Sequence, residues 1–106
     1  MNRVYLVVTA ASSMAAKVQE VKDAAAQAGL VVGSYNPLSL VAAADAAAEI
    51  KAGKTATLME KICADFLQQG FDSVDAVVVE GATGMSDVAA QSFNDSLATA
   101  LDAKIY

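Results

Sequence analysis

Apolar runs and amphipathic stretches alternate along this chain, and each predicts a structural element. Residues 4–8 are apolar, rich in β-branched side chains and uninterrupted by polar ones, which is typical of a strand buried on both faces of a parallel sheet. Residues 14–28 carry apolar side chains at every third or fourth position, which predicts an amphipathic helix. We expect Ser12 or Ser13 to cap its start and Gly29 to end it.

The pattern continues with a second strand and an alanine-rich helix. Residues 30–33 predict the strand, which the segment at Pro37 breaks because proline has no N–H group for a strand ladder. Residues 39–52 are rich in alanine and have high helix propensity. We expect Ser39 to cap this helix and Gly53 to stop it.

A third helix is indicated by Thr57 and Glu60, whose spacing of three residues fits a capping box. Gly70 marks its end. Its apolar side chains form two neighbouring stripes. The first consists of Leu58, Ile62 and Phe66, and the second of Met59, Cys63 and Leu67.

The last third of the chain predicts a strand, a helix and the start of a further strand. Residues 74–79 give the strongest strand signal. The helix spans about 87–101 and has Ser86 as its cap, and residues 103–106 resemble a strand that is just beginning. We expect these helix side chains to face inward: Phe93, Leu97, Ala100 and Leu101.

The order of elements predicts the fold class. Strands that alternate with helices indicate a single α/β domain over residues 1–106, a three-layer sandwich with a mostly parallel sheet of about four strands and right-handed crossovers. The short last strand indicates either a fragment of a longer polypeptide or a sheet edge that a partner completes.

Composition excludes several chemistries. The 106 residues include 24 alanines, one cysteine and no histidine, and the net charge is −5. Histidine-based catalysis, imidazole or cysteine metal sites and an internal disulfide are therefore excluded, and we expect no cofactor and no metal. The acidic balance argues against nucleic-acid binding, and no segment resembles a membrane span or a signal peptide. We therefore expect a cytoplasmic protein.

Ligands of open parallel sheets bind beyond the carboxyl ends of the strands, and three predicted loops lie there. Two of them carry polar or glycine residues suited to weak ligand contacts: Thr9, Ser12 and Ser13 in the first, and Glu80, Gly81, Thr83 and Gly84 in the last. The competing interpretations are a plain capped turn in the first loop, and a solvated acid with turn glycines in the last.

The first loop lacks the features of a working phosphate loop. Residues 9–16 contain no glycine, and Lys17 is followed by Val18 rather than by serine or threonine. A weak anion site at the helix N-terminus stays open as an alternative. We interpret Cys63 as a small core residue, since no histidine is present to activate its thiol.

Three stretches carry a resemblance to a known family. They are residues 3–33, Pro37-Leu38-Ser39-Leu40 with Leu58-Met59-Glu60-Lys61-Ile62, and Val77-Val78-Val79-Glu80-Gly81 with residues 93–98 and 101–105. Together they resemble the N-terminal domain of the long form of bacterial phosphate acetyltransferase. That domain is a degenerate relative of dethiobiotin synthetase and the cobyrinic acid amide synthases.

The resemblance implies a P-loop-NTPase-like topology, with the first strand next to the Val77 strand and a degenerate Walker A loop. It implies a regulatory or assembly domain without catalysis of its own, in acetyl-CoA, acetyl phosphate and acetate metabolism. The acetyltransferase catalytic domain is then the partner, if the chain is part of a longer one. Two alternatives stay open: a nucleotide-dependent ligase of the dethiobiotin synthetase type, and a stand-alone subunit that binds a small metabolite.

Self-association is the last expectation. If the strand at residues 103–106 lies at a sheet edge, its outer backbone groups are unpaired and offer a docking line. Residues 42–48 add small side chains that allow another helix to approach closely. We expect a homodimer or higher oligomer at micromolar concentration.

Overall fold

Four parallel strands form one sheet in the computed structural model, which describes residues 3–106. The strands are β1 (Arg3–Val7), β2 (Val32–Tyr35), β3 (Ala76–Glu80) and β4 (Lys104–Ile105). Their spatial order is β2-β3-β1-β4, and every neighbouring pair is parallel. The predicted parallel α/β fold and the pairing of the first strand with the Val77 strand are confirmed. The strand order is compatible with a P-loop-like topology.

Helices cover both faces of the sheet. They are α1 (Ala11–Gln27), α2 (Ala43–Lys51), α3 (Thr55–Gln68) and α4 (Asp87–Leu101). From β1 the chain moves across the sheet to β2 at one edge. The connections from β2 to β3 and from β3 to β4 then run in the opposite direction, toward the other edge. Crossovers of one hand therefore place α1 alone on one face, here called the thin face, and α2–α4 on the other, the thick face.

The core is divided unequally by the sheet. On the thick face, strand side chains pack against fully buried residues of α3 and α4, which include Leu58, Ile62, Phe93 and Leu97. On the thin face, the buried cluster among residues 3–106 consists of four residues, Val7, Met14, Val21 and Val78. Within residues 3–106, no helix is both long enough and apolar enough to cross a membrane.

The ends of α1 differ from the sequence prediction. The helix begins at Ala11 with Ala10 as its cap, so the prediction that Ser12 or Ser13 caps it is wrong. The N–H of Ser13 donates to the carbonyl of Ala10 at 3.0 Å, so both serines already lie in the first helical turn. Gly29 ends the helix as predicted, with a left-handed φ of 82°.

The second strand begins two residues later than predicted, because the end of α1 uses Leu30. The N–H of Leu30 donates to the carbonyl of Ala25 at 3.1 Å, which closes the last helical turn. The strand then continues through Tyr35. Asn36 caps a short 3-10 helix, Pro37–Ser39, by accepting the N–H of Leu38 at 3.0 Å.

Two predicted helix caps are also wrong. Ser39 belongs to the 3-10 turn, where its hydroxyl donates to the carbonyl of Asn36 at 2.6 Å, so α2 begins only at Ala43. Thr57 lies inside α3, which begins at Thr55 without a side-chain cap. Gly53 and Gly70 follow the ends of these helices with φ values of 76° and 73°, as their predicted stop roles require.

Helix α4 has the predicted bounds and the predicted cap. The Ser86 hydroxyl oxygen accepts the N–H of Ala89 at 3.2 Å. Phe93 and Leu97 are fully buried, as predicted, and Leu101 is half-buried. Ala100 is exposed, so its predicted inward placement is wrong; it follows Leu97 by three residues but lies on the outer side of the stripe.

Candidate functional site

A crevice opens where the carboxyl ends of β1 and β3 meet. Its volume is about 610 Å³, and its walls are residues 8–11, parts of the loop after β3, one side of α4 and Ile105. The chain leaves β1 toward the thin face and leaves β3 toward the thick face, so the two loops diverge. Such a switch point is where ligands bind in open parallel sheets.

Gly81 brings the loop after β3 close to β1. Its N–H donates to the carbonyl of Val7 at 2.8 Å, which extends the strand pairing by one residue. A Cβ atom at this position would lie 2.5 Å from that carbonyl oxygen and 3.1 Å from Oδ1 of Asn94. The close approach of this loop to β1 therefore requires glycine here.

Asn94 is the buried polar side chain of this region, with only 5% of its surface exposed. Its Oδ1 accepts the N–H of Ala82 at 2.8 Å, and this bond fixes which way the amide points. Within residues 3–106 the Nδ2 group donates to no protein acceptor. In the same residues, every polar side-chain atom that is shielded from solvent has a hydrogen-bond partner. The Nδ2 group therefore reaches solvent, and since Asn94 lines the crevice, we infer that its NH₂ group opens into the crevice.

The N-terminus of α1 forms one wall of the crevice, through Thr9, Ala10 and Ala11. No side chain caps this helix, and its first turn contains no acidic residue. The first N–H groups of a helix lack acceptors within the helix, and they carry the positive end of its dipole. This wall is therefore rich in hydrogen-bond donors.

The opposite wall is acidic. Asp87, Gln91 and Asp95 line it from α4, whereas no lysine or arginine lines the crevice in the described part of the chain. Neither carboxylate forms an ion pair within residues 3–106. Residues 3–106 contain no group of three or more histidine, cysteine, aspartate or glutamate side chains that could hold a metal.

The structure separates the residues that the sequence predicted as a site. Thr9 lines the crevice, whereas Gly81 lies outside its lining and holds the loop after β3 against β1. Ser12 and Ser13 are exposed on the first turn of α1, and neither lines the crevice. The remaining candidates of the last loop, Glu80, Thr83 and Gly84, also lie outside its lining; Gly84 faces Ala43 of α2.

Sequence reasoning missed the polar residues of α4, above all Asn94. The available signal was its position on the inward side of the helix, next to Phe93 and three residues before Leu97. A polar amide among core positions is rarely buried without a hydrogen-bonding role.

Two other groups with raised pKa values lie away from the crevice. Burial raises the pKa of the Cys63 thiol, whose Sγ lies 3.9 Å from the carbonyl oxygen of Ala100. Burial, together with a 2.7 Å hydrogen bond to Asp65, raises the pKa of the Tyr35 hydroxyl. Both groups are kept neutral, which favours structural roles for them.

No protein-family model matches this chain, and no curated protein matches its sequence. The fold alone does not identify a function, because parallel α/β sheets carry many activities. The geometry of the crevice is therefore the basis for the function proposed next.

Proposed function

We propose that this chain is a non-catalytic regulatory domain that binds a small polar metabolite in the crevice. The observation that carries the proposal is the Asn94 amide, nine-tenths buried and with its NH₂ group directed into the crevice without a protein acceptor. The NH₂ group reaches solvent, so its acceptor in the free protein is water, and a ligand with a hydrogen-bond acceptor can take the place of that water.

The chemistry of the walls supports binding rather than catalysis. The crevice offers amide groups, the Thr9 hydroxyl and two carboxylates, Asp87 and Asp95, both on exposed residues. Cys63 does not line the crevice, and burial holds its thiol in the protonated form. An activated nucleophile next to a base is the usual sign of covalent catalysis, and the crevice residues do not include that pair.

The resemblance to the N-terminal domain of phosphate acetyltransferase motivates a finer proposal. In this finer proposal, binding of the metabolite to the domain regulates acetyl-CoA and acetyl phosphate metabolism. The strand order β2-β3-β1-β4 and the glycine-free loop after β1 support this reading, since they combine a P-loop-like topology with a degenerate phosphate loop.

A nucleotide-dependent ligase is the second candidate. One observation favours it: the uncapped N-terminus of α1 stands at the crevice, where a helix can bind an anion. Among residues 3–106 no lysine or arginine lines the crevice, which weighs against a triphosphate, since its negative charge would lie near Asp87 and Asp95 without compensation.

Assembly is the proposed output of the domain. Strand β4 pairs with β1 on one side, and its other side carries no strand within residues 3–106. Ile105 and Tyr106 are about half exposed, at 51% and 49%. Residues 42–48 contribute exposed alanines, although Ala46 is fully buried inside the domain. We propose a homodimer or higher oligomer that pairs through the β4 edge.

Thermal shift measurements test the proposed function. The panel comprises pyruvate, acetyl phosphate, NADH, acetyl-CoA, ATP with magnesium, and free amino acids. At least one non-nucleotide compound is expected to raise Tm, since a ligand that binds only the folded state stabilises it. The Asn94→Asp variant keeps the acceptor for Ala82 but loses the NH₂ donor, so it should lose the shift. Asp72→Asn, at an exposed position outside the crevice, should retain it.

Two results would overturn the proposal. Micromolar binding of ATP with magnesium would favour the ligase. An unchanged Tm with every compound would remove the binding function altogether.

A further inference from the structure

We infer that the crevice takes a zwitterionic ligand, an α-amino acid with an aliphatic side chain. Its carboxylate faces the N-terminus of α1 and the Asn94 amide, and its ammonium group faces the carboxylates of Asp87 and Asp95. This inference rests on the proposed function and names the ligand class of the same crevice.

The donor wall suits a carboxylate. The free N–H groups at the start of α1 and the NH₂ group of Asn94 both donate hydrogen bonds, and no acidic residue occupies the first turn of α1. Both features point to a hydrogen-bond acceptor, and the helix terminus favours one with negative charge. Asn94 matters most here because it is buried, unlike the solvated helix terminus.

The opposite wall suits an ammonium group. Asp87 and Asp95 line the crevice, and within residues 3–106 neither carboxylate has a basic partner. A purely anionic ligand would satisfy the donors but would lie against two like charges. A purely cationic ligand would satisfy the carboxylates but offer no acceptor to the Asn94 NH₂ group. A ligand that carries both charges complements both walls.

The rest of the lining suits an aliphatic side chain. Val8, Met85 and Ile105 contribute apolar surface, and Val8 and Ile105 are large exposed hydrophobic residues. A bound aliphatic group would remove this surface from water. The volume of about 610 Å³ leaves room for such a group.

Calorimetric titration with three ligands of one skeleton tests the inference: L-leucine, N-acetyl-L-leucine and L-leucinamide. The first carries both charges, the second lacks the ammonium group, and the third lacks the carboxylate. L-leucine should bind about tenfold more tightly than either derivative, since each derivative leaves one wall unpaired.

Variants test which wall of the crevice binds each charged group of the ligand. Asp95→Asn should weaken L-leucine binding about fivefold, the scale of an exposed ion pair, while N-acetyl-L-leucine binds equally or better. Asn94→Asp should weaken both carboxylate ligands and spare L-leucinamide. Asp72→Asn is the matched control and should change none of the three affinities. Asp95 is exposed, so its variant is expected to fold even if Asn94→Asp does not.

The outcomes separate the inference from the proposed function. If N-acetyl-L-leucine binds as tightly as L-leucine, or if only acetyl phosphate or another anion binds and the Asn94→Asp variant abolishes that binding, the crevice is a ligand site but the zwitterion is wrong. If no compound of any charge class binds, the inference and the proposed function fall together.

Discussion

The two faces of the sheet are covered unequally, and the difference separates stability from function. On the thick face, three helices enclose side chains such as Leu58, Ile62 and Phe93 completely. On the thin face, α1 alone contributes Met14 and Val21 to a much smaller buried cluster. We infer that most of the free energy of folding comes from the thick face, because apolar area removed from water is its main source.

The crevice lies where the two faces meet, and each face supplies one of its walls. Helix α4 belongs to the thick face and anchors its wall with Phe93 and Leu97 while it presents Asn94 to the crevice. Helix α1 belongs to the thin face and supplies its uncapped N-terminus from a less buried element. We infer from this difference in burial that the α4 wall is the more rigid of the two.

The largest effect on stability should come from truncating a buried side chain on the thick face. Phe93→Ala should lower the free energy of unfolding by about 3–5 kcal/mol, because it removes a fully buried ring from an enclosed core. Met14→Ala on the thin face should cost about 2 kcal/mol, since α1 can move toward the sheet and partly fill the space. Urea unfolding measures both values. The reverse order would contradict the comparison.

Adjacent valines of β3 provide a matched pair. Val79 faces the thick face and Val78 the thin face, and both are fully buried. Val79→Ala should cost about 2–3 kcal/mol and Val78→Ala about 1–2 kcal/mol, because only the thin side relaxes around the lost methyl groups. Equal costs in urea unfolding would mean that both faces are equally rigid.

Gly81 tests the junction between the two faces. Gly81→Ala should destabilise the fold by about 2 kcal/mol, since its Cβ would collide with the Val7 carbonyl. Gly29→Ala is the control for close approach: nothing lies within 4 Å of a Cβ there, and only its left-handed φ of 82° opposes alanine, so it should cost about 1 kcal/mol. A smaller loss of unfolding free energy for Gly81→Ala than for Gly29→Ala would show that the loop after β3 does not pack closely against β1.

The smallest effect concerns Tyr35 on the thick face and depends on pH. Tyr35→Phe removes the hydrogen bond to Asp65 and should cost about 1 kcal/mol at neutral pH. Folding raises the pKa of Tyr35, so the stability that its neutral hydroxyl contributes is complete below the unfolded pKa of about 10 and is lost as the pH rises above it. The difference between wild type and variant should therefore shrink above that pH.

Chemical unfolding at neutral and alkaline pH measures this change, with Tyr106→Phe as the control because Tyr106 is about half exposed. A difference that stays constant above about pH 10 would refute the buried hydrogen bond as its cause.

The sequence predicts the parts of this fold that depend on apolar pattern and strong caps. Helix α4 has its predicted bounds because Ser86 bonds to Ala89 as a capping residue should. The start of β2 was misplaced because the last turn of α1 captures Leu30 through a backbone bond, which no side-chain pattern reveals. Ser39 was misplaced because Asn36 and Pro37 form a local turn that precedes α2.

The candidate site was only partly predictable for a similar reason. Thr9 was identified because it follows a strand, and a strand end can be located from the apolar run. Asn94 was missed because its role depends on the N–H of Ala82, twelve residues away, and on the loop geometry that Gly81 allows. Such contacts arise only from tertiary packing.

The most direct test of the crevice as a ligand site is the nitrogen-15 NMR signal of the Asn94 side-chain amide during titration with L-leucine. The account predicts a saturable shift of this signal and of the backbone amides at the start of α1, with no change at Asp72, which lies outside the crevice. A saturable shift confined to other parts of the protein, or no shift at Asn94 with any compound of the panel, would contradict it.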